Sequence, residues 1–284
     1  MRLLSPAKIN LFLKVTGKRP DGYHNLVTLM CRVGLYDTIT LNIGAPRIRV
    51  TSDDPNLPED QANLAGQAAA AFYGTNIGSF KPPSERVAID IRKKIPVGAG
   101  LGGGSSNAAA VLMGLNRHYG KPLTPSQLSE IGLSIGADVP FFLFKKSALA
   151  TGIGECLEEF SRFKPWTILL VFPGFSVSTA QVYKKLTLGL TKCEKILKSS
   201  LFKAQEIDVT QHLCNDLETV TLAQFPELVE IKKKMCTLGA ANALMSGSGP
   251  SVFGLFADPK KAEQAKNKLK ACKRWRVFVV DMLI

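Results

Sequence analysis

Pro96-Val97-Gly98-Ala99-Gly100-Leu101-Gly102-Gly103-Gly104-Ser105-Ser106-Asn107 places five glycines in the seven positions from 98 to 104, directly before two serines and an alanine-rich run. Such a loop takes positive φ without a steric cost and feeds into a helix whose first N–H groups have no partner inside the helix. With the positive end of the helix dipole behind them, those N–H groups form an anion site, and phosphate suits it. A Gly/Ser linker shares the composition. The surroundings argue against a linker: an apolar strand pattern at Val87-Ala88-Ile89-Asp90-Ile91 precedes, a helical pattern from Ser106 to His118 follows, and no Asp or Glu occurs between Ile91 and Ser129.

Known phosphate loops narrow the choice. A P-loop requires Gly-Lys-Ser/Thr at its end, whereas Gly104 runs into Ser105 with no lysine in the loop. Gly98, Gly100 and Gly103 match the dinucleotide fingerprint formally, but the acid about 20 residues on that would hold a ribose is missing. Protein-kinase His-Arg-Asp and Asp-Phe-Gly signatures are absent too.

The chain has 284 residues, 45% of them hydrophobic and 21% charged, which is the composition of a globular protein with room for two domains. No apolar run reaches the ~20 residues of a membrane helix, and Met1-Arg2-Leu3-Leu4-Ser5 enters a strand pattern with no leader, so a cytoplasmic location and no membrane partner are expected. Cysteines 31, 156, 193, 214, 236 and 272 lie far apart without a Cys-x-x-Cys, so buried reduced thiols are expected, with no disulfide and no metal site. The net charge of +13 raises nucleic acid as a partner. The excess is diffuse, +7 up to residue 150 (17 basic, 10 acidic) and +6 beyond it (19 basic, 13 acidic). The dense clusters, Lys232-Lys233-Lys234 and Lys260 to Arg274, sit on helical patterns whose charges form solvated faces. An electropositive chain also attracts nucleotide and diphosphate substrates, the reading preferred here over nucleic acid.

Strands are expected at Lys8 to Val15, Thr28 to Val33, Asp37 to Ile43, Arg47 to Thr51 and Arg86 to Ile91, with a helix from Asn63 to Tyr73. Lys8 and Asn10 share one strand face. Thr124-Pro125-Ser126-Gln127 starts a helix with a capping box, and Gly136 ends it. Asp138 then sits in an irregular turn before Val139-Pro140, which is expected to be extended. Beyond Ala150, strands are expected at Leu149 to Leu157 around a Gly-Ile-Gly bend, Thr167 to Phe172, Ala243 to Ser246, Val252 to Phe256 and Arg276 to Met282. Helices are expected at Ser178 to Leu186, Phe225 to Leu238 and Asp258 to Lys273, and a loop with a short helix over Lys184 to Ser200. Strands interleaved with helices make an α+β fold.

Five segments together carry a resemblance: Ser5-Pro-Ala-Lys-Ile-Asn-Leu-Phe-Leu, Asp21-Gly-Tyr-His, Pro96 to Ala110, Gly136-Ala-Asp-Val-Pro-Phe-Phe and Met245-Ser-Gly-Ser-Gly-Pro-Ser-Val-Phe, with Asn215-Asp-Leu-Glu before the last. In this order they resemble the GHMP kinase superfamily over Ser5 to Phe256, and most of all its members whose acceptor is a cytidine diphosphate alcohol of isoprenoid precursor synthesis. The resemblance implies a two-domain α+β fold. Residues 1–153 would form a layer like the second domain of ribosomal protein S5, with a left-handed βαβ crossover that breaks the usual right-handed rule. Residues 154–284 would form a ferredoxin-like sandwich.

It also implies ATP-dependent phosphorylation, with Asp138 taking the proton of the acceptor hydroxyl and Lys8 polarising the same site. Pro96 to Asn107 would wrap the phosphates with Ser105 or Ser106 near Mg²⁺, and Asn63 and Lys93 would lie near the adenosine. Tyr23 and His24 would read the cytosine with a further aromatic from Tyr183 and with Met30 nearby, Asn10 on the face of Lys8 would be an amide that supports Lys8 or meets the substrate, and Gly247, Ser248 and Gly249 would buttress the phosphate loop. Mg²⁺ is expected to be held mainly by phosphates and water, since no carboxylate cage is apparent. Two positions depart from the family's pattern: Ala99 stands where glycine is common, and Met30 where an aromatic is. A monomer or weak homodimer is expected. Another small alcohol (homoserine, mevalonate or phosphomevalonate) is the alternative within the superfamily, and a basic RNA-binding protein built on the S5-like layer is the alternative outside it.

Overall fold

The long hairpin that opens the chain supplies strands to two compact units. The computed structural model describes residues 1–75, 80–81, 83–187, 193 and 207–283. β1 (Arg2–Lys18) and β2 (His24–Ala45) pair with each other across a turn closed by the Arg19 N–H on the Tyr23 carbonyl. One unit takes residues 1–7, 35–97 and 102–145, and the other takes 8–34, 98–101 and 146–284. The strands expected at Thr28 to Val33 and Asp37 to Ile43 are thus one strand. Gly34-Leu35-Tyr36 separates them, and the alternation of buried and partly exposed side chains runs on through it, so nothing in the sequence supplies a turn.

In the first unit the strand order is β3 (Arg49–Ser52), β4 (Arg86–Arg92) and the second half of β2. β4 runs antiparallel to β2, with Ile39 opposite Ile91 and Leu41 opposite Ile89. It runs parallel to β3. A parallel pair needs a crossover, and α1 (Leu64–Tyr73) provides it, making a βαβ unit. α2 (Gly103–His118) packs on α1, and α3 (Pro125–Ile135) and α4 (Val139–Phe144) pack on each other. Phe72 of α1 stacks on Tyr119 at 5.9 Å between ring centroids, sealing the far end of α2. The Thr124–Gln127 capping box forms as expected at the start of α3.

Two local expectations fail here. α2 begins at Gly103 rather than Ser106, because Gly102 takes the left-handed conformation at the N-cap and turns the chain three residues early. Val139-Pro140 is helical, not extended: proline falls in the first turn of α4, where its missing N–H costs no intrahelical bond. Asp138 is the residue just before that helix.

In the second unit β7 (Thr167–Phe172), β9 (Asn242–Met245), β10 (Val252–Phe256) and β11 (Arg276–Leu283) lie in the order β11-β7-β10-β9, every neighbour antiparallel. With α7 (Glu227–Thr237) before β9 and α8 (Pro259–Leu269) between β10 and β11, this is the βαββαβ order of a ferredoxin-like layer. Leu169, Val171, Ile231, Met235, Phe256 and Ala265 are among its fully buried core. β11 also pairs with the first half of β2, Met282 facing Val33, and β5 (Ala148–Thr151) pairs with β2 and with β6 (Cys156–Glu159). α5 (Thr179–Lys185) takes up part of the region expected as loop and short helix, and the rest of 184–200, apart from 186, 187 and 193, lies outside the described residues. A helix not expected from periodicity, α6 (Glu218–Gln224), follows β8 (Cys214–Asn215).

The cysteines need a correction. Cys193 and Cys214 form a disulfide, which spacing alone does not announce because the two lie 21 residues apart. Cys31 is a buried thiol, but Cys156 and Cys236 are exposed. Among the described residues no helix is long and apolar enough to cross a membrane.

Candidate active site

The glycine loop is held by its carbonyls. In the second unit four consecutive ones are taken: Gly98 by the Val177 N–H at 3.3 Å, Ala99 by the Ser251 N–H at 3.2 Å, Gly100 by the Ser246 hydroxyl at 2.9 Å and Leu101 by the Lys8 N–H at 2.9 Å. Left-handed conformations alternate along it, at Gly98, Gly100 and Gly102. Alternating residues of this kind gather successive N–H groups into a concave nest that accepts an anion. Gly100 cannot be replaced without moving backbone, since a Cβ there would lie 2.2 Å from the Ser246 carbonyl.

The turn that presses on this loop is Ser246 to Pro250, and Asn215 fixes it by donating to the carbonyls of Met245 at 2.8 Å and Gly247 at 2.7 Å. The buried Ser248 hydroxyl shares a hydrogen bond with Thr179 at 2.8 Å, and the Ser248 carbonyl accepts from Thr221 at 3.2 Å. Gly247 lies against the glycine loop, a Cβ on it falling 3.2 Å from the Gly100 carbonyl.

On β1, Lys8 and Asn10 project to one side as the strand period requires, and both are buried. Lys8 Nζ donates to Asn10 Oδ1 at 2.8 Å, and Asn10 Nδ2 donates to Thr28 Oγ1 at 2.8 Å. His24, at the start of β2, has its ring centroid 5.2 Å from that of Tyr183 on α5. Burial, and secondarily the charge of Lys18, push the His24 imidazole below its ordinary range, which favours the neutral ring with one donor and one acceptor nitrogen. Tyr23 beside it is 57% exposed, a large aromatic face left to solvent. Met30 is fully buried in the core under β2.

The first unit builds the helix end of the loop around Asp37, which has no exposed surface. One carboxylate oxygen accepts the backbone N–H groups of Lys94 at 2.8 Å and Ile95 at 2.9 Å. The other accepts from Asn107 Nδ2 at 3.0 Å and pairs with the Lys93 ammonium. Asn107 Nδ2 reaches Ser5 Oγ at 2.9 Å, and the Ser5 hydroxyl donates to Ser106 Oγ at 2.8 Å. One buried acid thereby fastens the chain entering the loop (Lys94, Ile95) and the helix leaving it (Asn107). Motif reading missed Asp37. Its signal was an acid on the strand parity otherwise filled by Val33, Leu35, Ile39, Leu41 and Ile43.

This network separates the two serines. Ser106 is turned into the protein, while Ser105 stays partly exposed on the first turn of α2. The turn before Asp138 lies near Ser105, a Cβ at Gly136 falling 3.8 Å from its hydroxyl oxygen, and Asp138 is itself half-buried. Lys93 is engaged with Asp37 and approaches the start of α2, its Nζ 3.2 Å from where a Cβ of Gly103 would be. Asn63 caps α1, its side chain accepting from the Ala65 N–H at 2.9 Å and donating to the Pro58 carbonyl at 2.8 Å.

Known proteins are similar to this chain over nearly its whole length. The family described as GHMP kinases N terminal domain matches residues 63–146, and GHMP kinases C terminal matches residues 196–274. The 4-diphosphocytidyl-2-C-methyl-D-erythritol kinase of Syntrophotalea carbinolica is 48% identical, with 98% of this chain and 97% of that protein aligned. Its namesake from Syntrophus aciditrophicus is 45% identical over 99% of this chain and 98% of that protein. A crystal structure of a 4-(cytidine 5'-diphospho)-2C-methyl-D-erythritol kinase superposes over the full length of both chains with a TM-score of 0.79 and 34% identity. A homoserine kinase from Cytophaga hutchinsonii shares the fold at TM-score 0.70 and 19% identity, over 98% of this chain and 93% of that one. The chain belongs to the 4-diphosphocytidyl-2-C-methyl-D-erythritol kinases of the GHMP kinase superfamily.

Proposed function

We propose that this chain is a small-molecule kinase that transfers the terminal phosphoryl group of ATP to the 2-hydroxyl of 4-diphosphocytidyl-2-C-methyl-D-erythritol, a cytoplasmic step of the methylerythritol phosphate route to isoprenoid precursors. Full-length identity to kinases of that name supports the substrate. The observation that carries the reading within the fold is the pairing of a neutral His24 ring with Tyr183, a stacking platform with a directional donor that a homoserine or mevalonate kinase has no use for.

Phosphoryl transfer asks little covalent chemistry of the protein, so the rate comes from positioning and from positive charge on the phosphoryl oxygens. The N–H groups of Gly98 to Gly104 and the start of α2 hold the phosphates. Asp138 accepts the proton of the acceptor hydroxyl as its oxygen bonds to phosphorus and the bond to the ADP oxygen breaks. Lys8 supplies positive charge to the same oxygen. Ser105 is the hard oxygen donor on the helix face turned to solvent and fits a nucleotide-bound Mg²⁺, whose chemistry is to neutralise charge on the phosphate oxygens. Asn63 and Lys93 flank the nucleoside end through the elements they hold, the N-terminus of α1 and the exit of β4.

His24 donating to cytosine N3 reads the base, because uracil carries N3–H and O4 where cytosine carries an acceptor at N3 and an amine at N4. The mismatch leaves buried groups facing like partners at about 1–3 kcal/mol each, so a discrimination on the order of 10² is expected. ADP release with the cytidine and uridine forms of the acceptor, and with homoserine and mevalonate, decides the matter. Equal kcat/KM for cytidine and uridine forms would remove base reading by His24, and turnover of homoserine or mevalonate alone would replace the substrate.

A further inference from the structure

The direction of every hydrogen bond beneath Lys8 is dictated by one backbone carbonyl. The carbonyl of Phe12 can only accept, so the Thr28 hydroxyl donates to it, at 2.6 Å. With its single hydrogen used, Thr28 Oγ1 offers only lone pairs to Asn10, which must turn its amide nitrogen toward it, at 2.8 Å. Asn10 Oδ1 is thereby left facing Lys8 Nζ, at 2.8 Å. Were the amide reversed, a donor would face the ammonium and an acceptor would face an oxygen with no hydrogen to give. Thr28 and Asn10 are 2% exposed and Lys8 5%, so water does not compensate such an error.

The geometry points to Thr28 as a positioning residue for the phosphoryl transfer: through the relay Phe12 carbonyl, Thr28, Asn10, it sets the one amide orientation that holds the Lys8 ammonium. The inference rests on the catalytic reading of Lys8 given above. Thr28 lies on β2 opposite Ala150 of β5, so its backbone is fixed by strand pairing whatever its side chain, and the hydroxyl is free to serve the relay. A sequence gives no hint of this, since a threonine inside a strand is an ordinary β-former.

Thr28→Val keeps the volume and removes the relay. In the full-length enzyme with ATP, Mg²⁺ and the cytidine diphosphate acceptor, kcat is expected to fall about 10- to 100-fold, the effect of a buried donor and acceptor left unpaired, while KM for ATP stays within about twofold. Thr28→Ser, which keeps the hydroxyl, should restore most of the loss. In an Asn10→Ala background Thr28→Val should cost nothing further, because the effect passes through Asn10, whereas a merely structural threonine would add its own penalty. Unfolding midpoints are measured on each variant, and if Thr28→Val does not fold, Thr28→Cys, of similar size with a weaker donor and acceptor, takes its place in the cycle. Wild-type kcat in Thr28→Val, failure of Thr28→Ser to rescue, or a full additional loss in the Asn10→Ala background would overturn the proposal. Lys8→Met separates it from the parent reading. If Lys8→Met is inactive and Thr28→Val normal, Thr28 alone loses its role; if Lys8→Met turns over normally, both fall.

Discussion

A proton must leave the acceptor hydroxyl, and Asp138 is the group assigned to take it. Its position is unusual for an acid at a helix start, because the side chain makes no capping bond to α4. Thr124 and Ser178, by contrast, spend their oxygens on helix N–H groups. Asp138→Asn keeps the shape and removes the base. Turnover is expected to fall by about 10² to 10⁴, the usual contribution of a positioned acid or base, with ATP affinity nearly unchanged. Steady-state ADP release together with calorimetric ATP titration checks both halves, and a near-normal turnover would take the proton elsewhere. Much at this scale was readable beforehand: Lys8 and Asn10 two apart on a strand, the capping box at Thr124, the glycines that alone can pass close to the Ser246 carbonyl. Asp37 and Thr28 were not, because their roles come from partners 56 and 18 positions away in the chain, and no local spacing records such a meeting.

Among the elements, the junction of β2, β4 and α2 carries the most concentrated electrostatics. Asp37 on β2 binds the exit of β4 through two backbone N–H groups and the first turn of α2 through Asn107. In Asp37→Asn the amide oxygen can satisfy the two backbone donors, and its NH₂ then faces the Lys93 ammonium and the Asn107 amide. Breaking a buried pair on one side costs about 3–5 kcal/mol, a large part of a typical total stability. Denaturant unfolding should therefore show a loss of that order, accompanied by weaker ATP binding as α2 loses its anchor. Adding Lys93→Met removes the stranded charge and should recover stability while ATP binding stays weak. Wild-type stability in the single variant would mean that Asp37 anchors nothing. The elements themselves were mostly visible in the hydrophobic pattern. The fused β2 and the helical Val139-Pro140 were not, since glycine and proline each have two meanings and only the surrounding packing selects one: β2 runs on through Gly34, and the first turn of α4 accommodates Pro140.

For the molecule as a whole, the order of strands and helices indicated α+β, but the division into units did not follow from it. β1 and β2 each contribute to both, and a change of company halfway along a continuous strand leaves no mark on its alternation. The disulfide was hidden for a related reason, as 21 intervening residues say nothing about whether two chain segments lie side by side. Charge is the global property that sequence does give directly. A net +13 spread over both halves sets up an attractive field for ATP and for a diphosphate acceptor, both strongly anionic. Steering of this kind acts on encounter and leaves the bound state alone. It is also screened: the Debye length drops from about 10 Å at 0.1 M salt to about 3 Å at 1 M. Raising potassium chloride over that range should lower kcat/KM for each substrate, by up to about tenfold where encounter limits it, with kcat nearly constant. Neutralising Lys232, Lys233 and Lys234 together should reproduce only a small fraction of this fall, because the excess is diffuse: Lys233 and Lys234 are exposed on α7, and Lys232 is already paired with Glu218 at 2.7 Å. A kcat/KM that ignores salt, or a fall reproduced in full by the three lysines, would show that the distributed charge does not recruit the substrates.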